Sequence, residues 1–186
     1  PEWYFINPKT DKLEINIDPK GYDLMKKSGV PVMPILSNNY QQDFRPEGIG
    51  RILHNSKKRK ELINNVLQQC LKNKFIGINI DIENLSESSD EYLTVFVKEL
   101  SHEFHSKGLF VSQDVAPFNK DYNLKELAKY NDYIFLMAYD EHMILGEAGP
   151  ISSQQWIQAA VDNLTEKVPE EKVVLGLGAY GYDWTD

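Results

Sequence analysis

Runs rich in β-branched and aromatic residues alternate with helical runs along the whole chain. That alternation restricts it to an α/β fold of parallel strands joined through helices. Trp3-Tyr4-Phe5-Ile6 reads as the first strand. Residues 22–28 predict a short helix stopped by Gly29, and residues 30–36 a second strand, with Pro31 at its edge and Pro34 inside it. The polar stretch 37–50 reads as a long loop. Leu62, Ile63, Val66, Leu67, Cys70 and Leu71 recur at helical spacing and predict a helix over 57–72, with Cys70 on its core side. Four further strands are expected over 75–83, 109–115, 133–139 and 173–177. Between them fall a helix capped by Ser88 or Ser89 and stopped by Gly108, a short one over 124–129, and one over 154–166 behind Ser152 or Ser153.

A length of 186 residues fits one domain spanning 1–186, and no repeat or linker divides it. The net charge of −8 argues against a nucleic-acid partner, whose phosphates need a basic face, and against anionic lipid. Membrane insertion is not expected, since no apolar run approaches the roughly 20 residues of a span. Nor is a signal peptide visible at Pro1-Glu2. The single cysteine excludes an internal disulfide and a multi-cysteine metal site, and nothing in the chain asks for a metal or cofactor. Two architectures suit the alternation: an open doubly wound sheet and a TIM (β/α)₈ barrel. The glycine-rich first turn of a nucleotide-binding sheet is absent. Polar groups at strand ends (Asp81 and Glu83, Tyr139 and Asp140) favour the barrel. A complete barrel takes about 250 residues, so with six strands in sight this one is expected to be incomplete.

The run Asn79-Ile80-Asp81-Ile82-Glu83 carries the chemistry. Strand side chains alternate, so Ile76, Ile78, Ile80 and Ile82 share one face while Asn79, Asp81 and Glu83 share the other. Two carboxyls two positions apart are neighbours, and neighbours share a proton, which raises one of the two pKa values. A carboxylic acid kept protonated near neutral pH can protonate a glycosidic oxygen. Glu83, nearer the strand's C-terminal end, is the candidate acid, with Asp81 beneath it. The same pair would equally suit a structural network, capping the next helix or binding an arginine, although Arg45, Arg51 and Arg59 all lie off the candidate strands.

Gly77-Ile78-Asn79-Ile80-Asp81-Ile82-Glu83 resembles the DGxDxDxE signature of glycoside hydrolase family 18. Met137-Ala138-Tyr139-Asp140 looks like that family's M-x-Y-D, and the run from Gly176 to Trp184 resembles its G-x-P-x-Y-G-x-x-W. Ser37 looks like the start of its S-x-G-G. The branch most similar is the bacterial spore-cortex and peptidoglycan-associated one.

The resemblance implies barrel strands two to seven, with one and eight missing. It implies hydrolysis of a β-linked N-acetylglucosamine-containing polysaccharide by substrate-assisted retaining catalysis. Glu83 would be the acid and then the base. Asp81 would orient the substrate acetamido group, and Tyr139 would hold its oxygen. Substrate contacts would come from Asp140, Asn79, Ser37, Met137, Tyr180 and Trp184. An extracellular or cell-envelope location goes with that substrate. A non-catalytic sugar-binding module of the same fold is the alternative. Open barrel edges would invite self-association.

The departures are Ile76 and Asn79 in place of two aspartates, Asn39-Tyr40 in place of the glycine pair, and Gly178 in place of a proline. The Asn79 change shortens the proton-sharing chain. Asp114, late on the fourth strand, is a further cleft carboxylate without an assigned role. His142 is a candidate substrate contact. His102 and His105, and the run Lys57 to Lys60, read as solvated helix faces.

Overall fold

The computed structural model describes residues 1–85 and 91–184. Seven strands form one sheet: β1 (Glu2–Ile6), β2 (Leu13–Ile15), β3 (Ile35–Ser37), β4 (Gly77–Asp81), β5 (Phe110–Val115), β6 (Tyr133–Ala138) and β7 (Val173–Leu177). Their spatial order is β2-β1-β3-β4-β5-β6-β7, and the sheet does not close on itself. β1 and β3 to β7 pair in parallel, in the chain order the alternation predicts. β2 was not expected. It folds back antiparallel on β1, with Tyr4 opposite Ile15 and Ile6 opposite Leu13.

The helices are α1 (Pro19–Ser28), α2 (Pro46–Leu53), α3 (Ser56–Asn73), α4 (Glu91–His105), α5 (Leu124–Leu127) and α6 (Gln154–Thr165). Local chemistry sets their limits. Asp18 caps α1 by accepting from the Gly21 amide, Pro19 enters its first turn, and Gly29 ends it at φ 68°. Asn55 caps α3 through the amides of Lys57 and Lys58. Ser153, rather than Ser152, caps α6 through the Trp156 amide. The cap expected at Ser88 or Ser89 lies outside the described residues.

Two stretches differ from expectation. The supposed loop over 37–50 contains the start of α2, whose Ile49, Ile52 and Leu53 are buried. Gly48 and Gly50 disguise that helix as a turn. Gly48 is needed for close packing, since a Cβ there would lie 2.7 Å from the Pro8 Cα. The strand expected over 30–36 shrinks to β3, because Pro31 and Pro34 cannot donate to a ladder.

Ile78, Ile80 and Ile82 are fully buried, and so are Val111, Ile134 and Leu136 on neighbouring strands. They form one core with Leu62, Val66 and Cys70 of α3 and Phe96 and Leu100 of α4. Each such side chain contributes about 1.5–3 kcal/mol of transfer free energy. Ile76 stands just before β4 and is 36% exposed, outside that row. The register puts Ser37 beside Asp81 and Asn79 beside Ser112. The helix-covered face of the sheet is therefore mostly apolar, with buried Gln113 of β5 accepting from Asn131, and the opposite face carries a polar row at the strand C-termini.

Candidate active site

β4 ends at Asp81, and Glu83 follows two residues later, beyond the ladder. Both side chains are half-buried. Burial raises the Glu83 pKa first, and the Asp81 charge and a side-chain hydrogen bond with Asp81 raise it further, with Asp114 and Asp121 adding to the effect. Burial also raises Asp81, against the hydrogen bond that Ser37 Oγ donates to its Oδ2 at 3.3 Å. The other oxygen, Oδ1, is buried and has no hydrogen-bond partner among the described residues. Tyr139, one residue past β6, is half-buried. Its phenol is pushed up to about 12 by burial and by the charges of Asp114, Asp81, Glu83 and Asp140. Both carboxyls thus lie on one side of the sheet, with the phenol in their field.

The peptide that carries Glu83 has lost the sheet ladder, and side chains replace it. Asn38, fully buried, accepts from the Glu83 amide at 2.9 Å and donates to the Glu83 carbonyl at 2.8 Å. Tyr122 donates to the Ile82 carbonyl at 3.0 Å. Asp121 accepts from the Leu85 amide at 3.2 Å, just after Asn84 turns at φ 53°. Sequence reasoning missed all three. Only Asn38 left a signal, as a polar residue directly behind Ser37 at a strand end.

Ser37 is fully buried, so it acts on Asp81 and not on solvent. Asn79 is 7% exposed and engaged at both ends of its amide. Its Oδ1 accepts from Ser112 Oγ at 2.5 Å, and its Nδ2 donates to Asp114 Oδ2 at 2.6 Å. Asp140 sits in the left-handed region at φ 63° and accepts from the hydroxyls of Tyr180 and Tyr182, the latter at 3.0 Å. From Tyr139 the rings run edge-on through Tyr180, Tyr182 and Trp184, with centroid spacings of 6.2, 5.7 and 5.8 Å. Met137 is half-buried opposite Gly176. His142 stands apart, its Nδ1 against the Pro150 carbonyl at 3.0 Å. A cleft of about 300 Å³ lies along β1 and β2, lined by Glu2, Phe5, Glu14, Asn39 and Tyr40, among others, and neither acid lines it.

Among the described residues no arginine pairs with these carboxyls. Arg45 pairs with Asp43, Arg51 with Asp11, and Arg59 with Glu99. On the outer face, His105 is more than a solvated residue. Its Nε2 lies 2.9 Å from Asp132 and its Nδ1 3.1 Å from Ser101 Oγ. That set is not a nucleophile, because the Ser101 hydroxyl donates to the Tyr130 carbonyl at 2.7 Å and is buried. Among the described residues no group of three His, Cys, Asp or Glu is placed to hold a metal ion.

The model of the family described as Glycosyl hydrolases family 18 matches residues 20–186. "Uncharacterized glycosylase YvbX" of Bacillus subtilis (strain 168) is 28% identical over 170 residues, covering 86% of this chain and 49% of its own length. "Di-N-acetylchitobiase" of Homo sapiens is 37% identical over 123 residues, covering 59% of this chain and 32% of its own. The crystal structure of the spore cortex-lytic enzyme SleL of Bacillus megaterium QM B1551 superposes with a TM-score of 0.89 at 20% identity. That superposition covers 99% of this chain and 44% of SleL and is a likeness of fold, which makes the open sheet TIM-barrel-like. The chain spans about half the length, or less, of these relatives. With the match extending over most of its residues, the chain belongs to glycosyl hydrolase family 18.

Proposed function

We propose that this chain carries the acid–base centre of a retaining glycosidase acting on β-linked N-acetylglucosamine-containing glycans. One observation supports it most: Asp81 and Glu83 stand two residues apart at the C-terminal end of β4, half-buried and both raised by burial, and the buried Asp81 Oδ1 has no hydrogen-bond partner among the described residues. Burial and the Asp81 charge keep Glu83 protonated towards neutral pH, as a general acid requires. Glu83 donates its proton to the glycosidic oxygen while the substrate's own acetamido oxygen attacks the anomeric carbon. The free oxygen of Asp81 accepts the acetamido N–H and balances the positive charge that develops on the ring so formed. Tyr139 donates to the acetamido oxygen and aligns it. Glu83, now ionised, then takes a proton from the water that opens the intermediate. Asp140 and the ring series Tyr180, Tyr182 and Trp184 offer hydroxyl contacts and stacking surfaces.

The open sheet corresponds in this reading to barrel strands two to seven, and its β7 edge leaves room for self-association. Light scattering that finds only monomer counts against the latter. A cell-envelope or extracellular glycan is the target that suits relatives named for chitobiose and spore cortex. The test is hydrolysis of a chromogenic N-acetylglucosamine oligomer by the full-length protein. Cleavage abolished by Glu83→Gln supports the enzyme. Tight oligosaccharide binding without cleavage at any pH supports a sugar-binding module and overturns it.

A further inference from the structure

The polar side of β4 and its C-terminal end offer two carboxyls, and a third stands on the neighbouring strand, two residues past Ser112, which lies opposite Asn79. Asp114, half-buried on β5, accepts the Asn79 amide at 2.6 Å. The Ser112 hydroxyl donates to the other end of that amide at 2.5 Å. An ionised carboxylate can only accept, so Asp114 draws the Asn79 Nδ2 towards it and leaves Oδ1 for the Ser112 hydroxyl. Asn79 then fixes Asp114 Oδ2 as an acceptor, and any proton Asp114 takes sits on Oδ1. Ser112, Asn79 and Asp114 are thus one tether across β4 and β5, and its members are strand neighbours by register.

We propose that Asp114 is a positioning residue of this site: its carboxylate, held by Asn79, supplies from β5 a third negative group against which Asp81 and Glu83 divide their proton. This rests on the glycosidase reading for its consequence, though the charge coupling does not. The groups facing the cluster come from every side. Asp114 feels Asp81 from β4. Asp81 feels Glu2 on β1, Ser37 on β3, and Glu83. Glu83 feels Asp81, Asp114 and Asp121. The phenols of Tyr122 and Tyr139 are raised by burial first and then by these carboxylates. Burial and the Asp81 charge push Asp114 itself up to about 7. Three half-buried carboxyls on two adjoining strands resist ionising together, because each negative charge disfavours the next. Removing one negative neighbour makes the remaining pair easier to ionise. Asp114 therefore extends upward the pH range over which Glu83 holds its proton.

The test is a carboxyl titration by carbon-13 NMR on the full-length protein, run beside the pH profile of kcat. Asp114→Asn keeps the shape and removes the charge. It is expected to lower the Glu83 midpoint by about half to one pH unit, and to move the alkaline limb of kcat by the same amount. KM should stay within about twofold, because the substrate contacts are untouched. The exchange variant Asn79→Asp with Asp114→Asn returns a carboxylate to the tether and reverses its hydrogen bond. It is expected to restore the midpoint. A midpoint unmoved by Asp114→Asn overturns the proposal, and so does a shift that the exchange fails to restore. A wild-type protein that titrates as described yet cleaves no glycan upholds the coupling and overturns the glycosidase reading alone.

Discussion

Asn38 brackets the peptide of Glu83 with both ends of its amide, Oδ1 taking the N–H at 2.9 Å and Nδ2 giving to the carbonyl at 2.8 Å. It stands in for the strand partner that Glu83 lacks. Asn38→Ala leaves two buried peptide groups unpaired, a loss of about 1–3 kcal/mol each at most. The larger effect should fall on turnover, since a small displacement of the acid can cost about 10²-fold in rate. Steady-state kinetics should show kcat reduced with KM nearly constant. Asn38→Asp, which keeps the acceptor and loses the donor, should fall between.

Stability should decline as pH rises from mildly acidic to neutral. Asp81, Glu83 and Asp114 are all raised above ordinary carboxyl values in the folded state. The native state therefore binds more protons than the unfolded chain between about pH 4 and about pH 7. Their contribution is fully present below the unfolded values and is lost as pH rises through the folded ones. Asp11 is opposite in sign. Its hydrogen bond with Arg51 lowers it, so its contribution is present above the ordinary Asp value and fades in acid. Calorimetry should place the highest melting temperature at mildly acidic pH. A midpoint that climbs steadily from about pH 5 to about pH 8 contradicts this account.

Tyr139→Phe removes one hydroxyl from a ring that Tyr180 supports at 6.2 Å. The fold should be unchanged. If the phenol holds the acetamido oxygen, kcat/KM should drop about 10- to 100-fold, in line with loss of one positioned donor. Retained activity in this variant would remove Tyr139 from the mechanism.

Gly77 opens β4 where it passes β5, and a Cβ built there lies 2.2 Å from the Phe110 carbonyl oxygen. That obstacle is backbone and cannot rotate away. Gly77→Ala should therefore separate the two strands that join Asn79 to Asp114, at a cost of about 3 kcal/mol or more. Urea denaturation measures it directly. A wild-type midpoint would show that the strands tolerate the shift.

What the sequence disclosed follows from the range of the forces involved. The polar face of β4 and the apolar side of α3 were readable because side-chain direction repeats every two or 3.6 residues. Asp140 could be placed at a strand end, but not its left-handed turn or its hold on tyrosines that follow it by 40 and 42 residues. The Asn38 bracket and the Tyr122 bond to Ile82 were hidden for the same reason, since both span 40 or more residues. β2 was too short to show a period, and α2 carried glycines that read as punctuation.

The hairpin at the start of the sheet gives the molecule a direction. Leu13–Ile15 already occupies the outer side of β1, so an incoming segment there would meet a three-residue ribbon running the opposite way. At the other margin, Val173–Leu177 offers a five-residue parallel seam, with Leu175 and Leu177 uncovered. Any wall added to this sheet in a parallel sense is therefore laid down beyond Leu177, unless the ribbon first peels away.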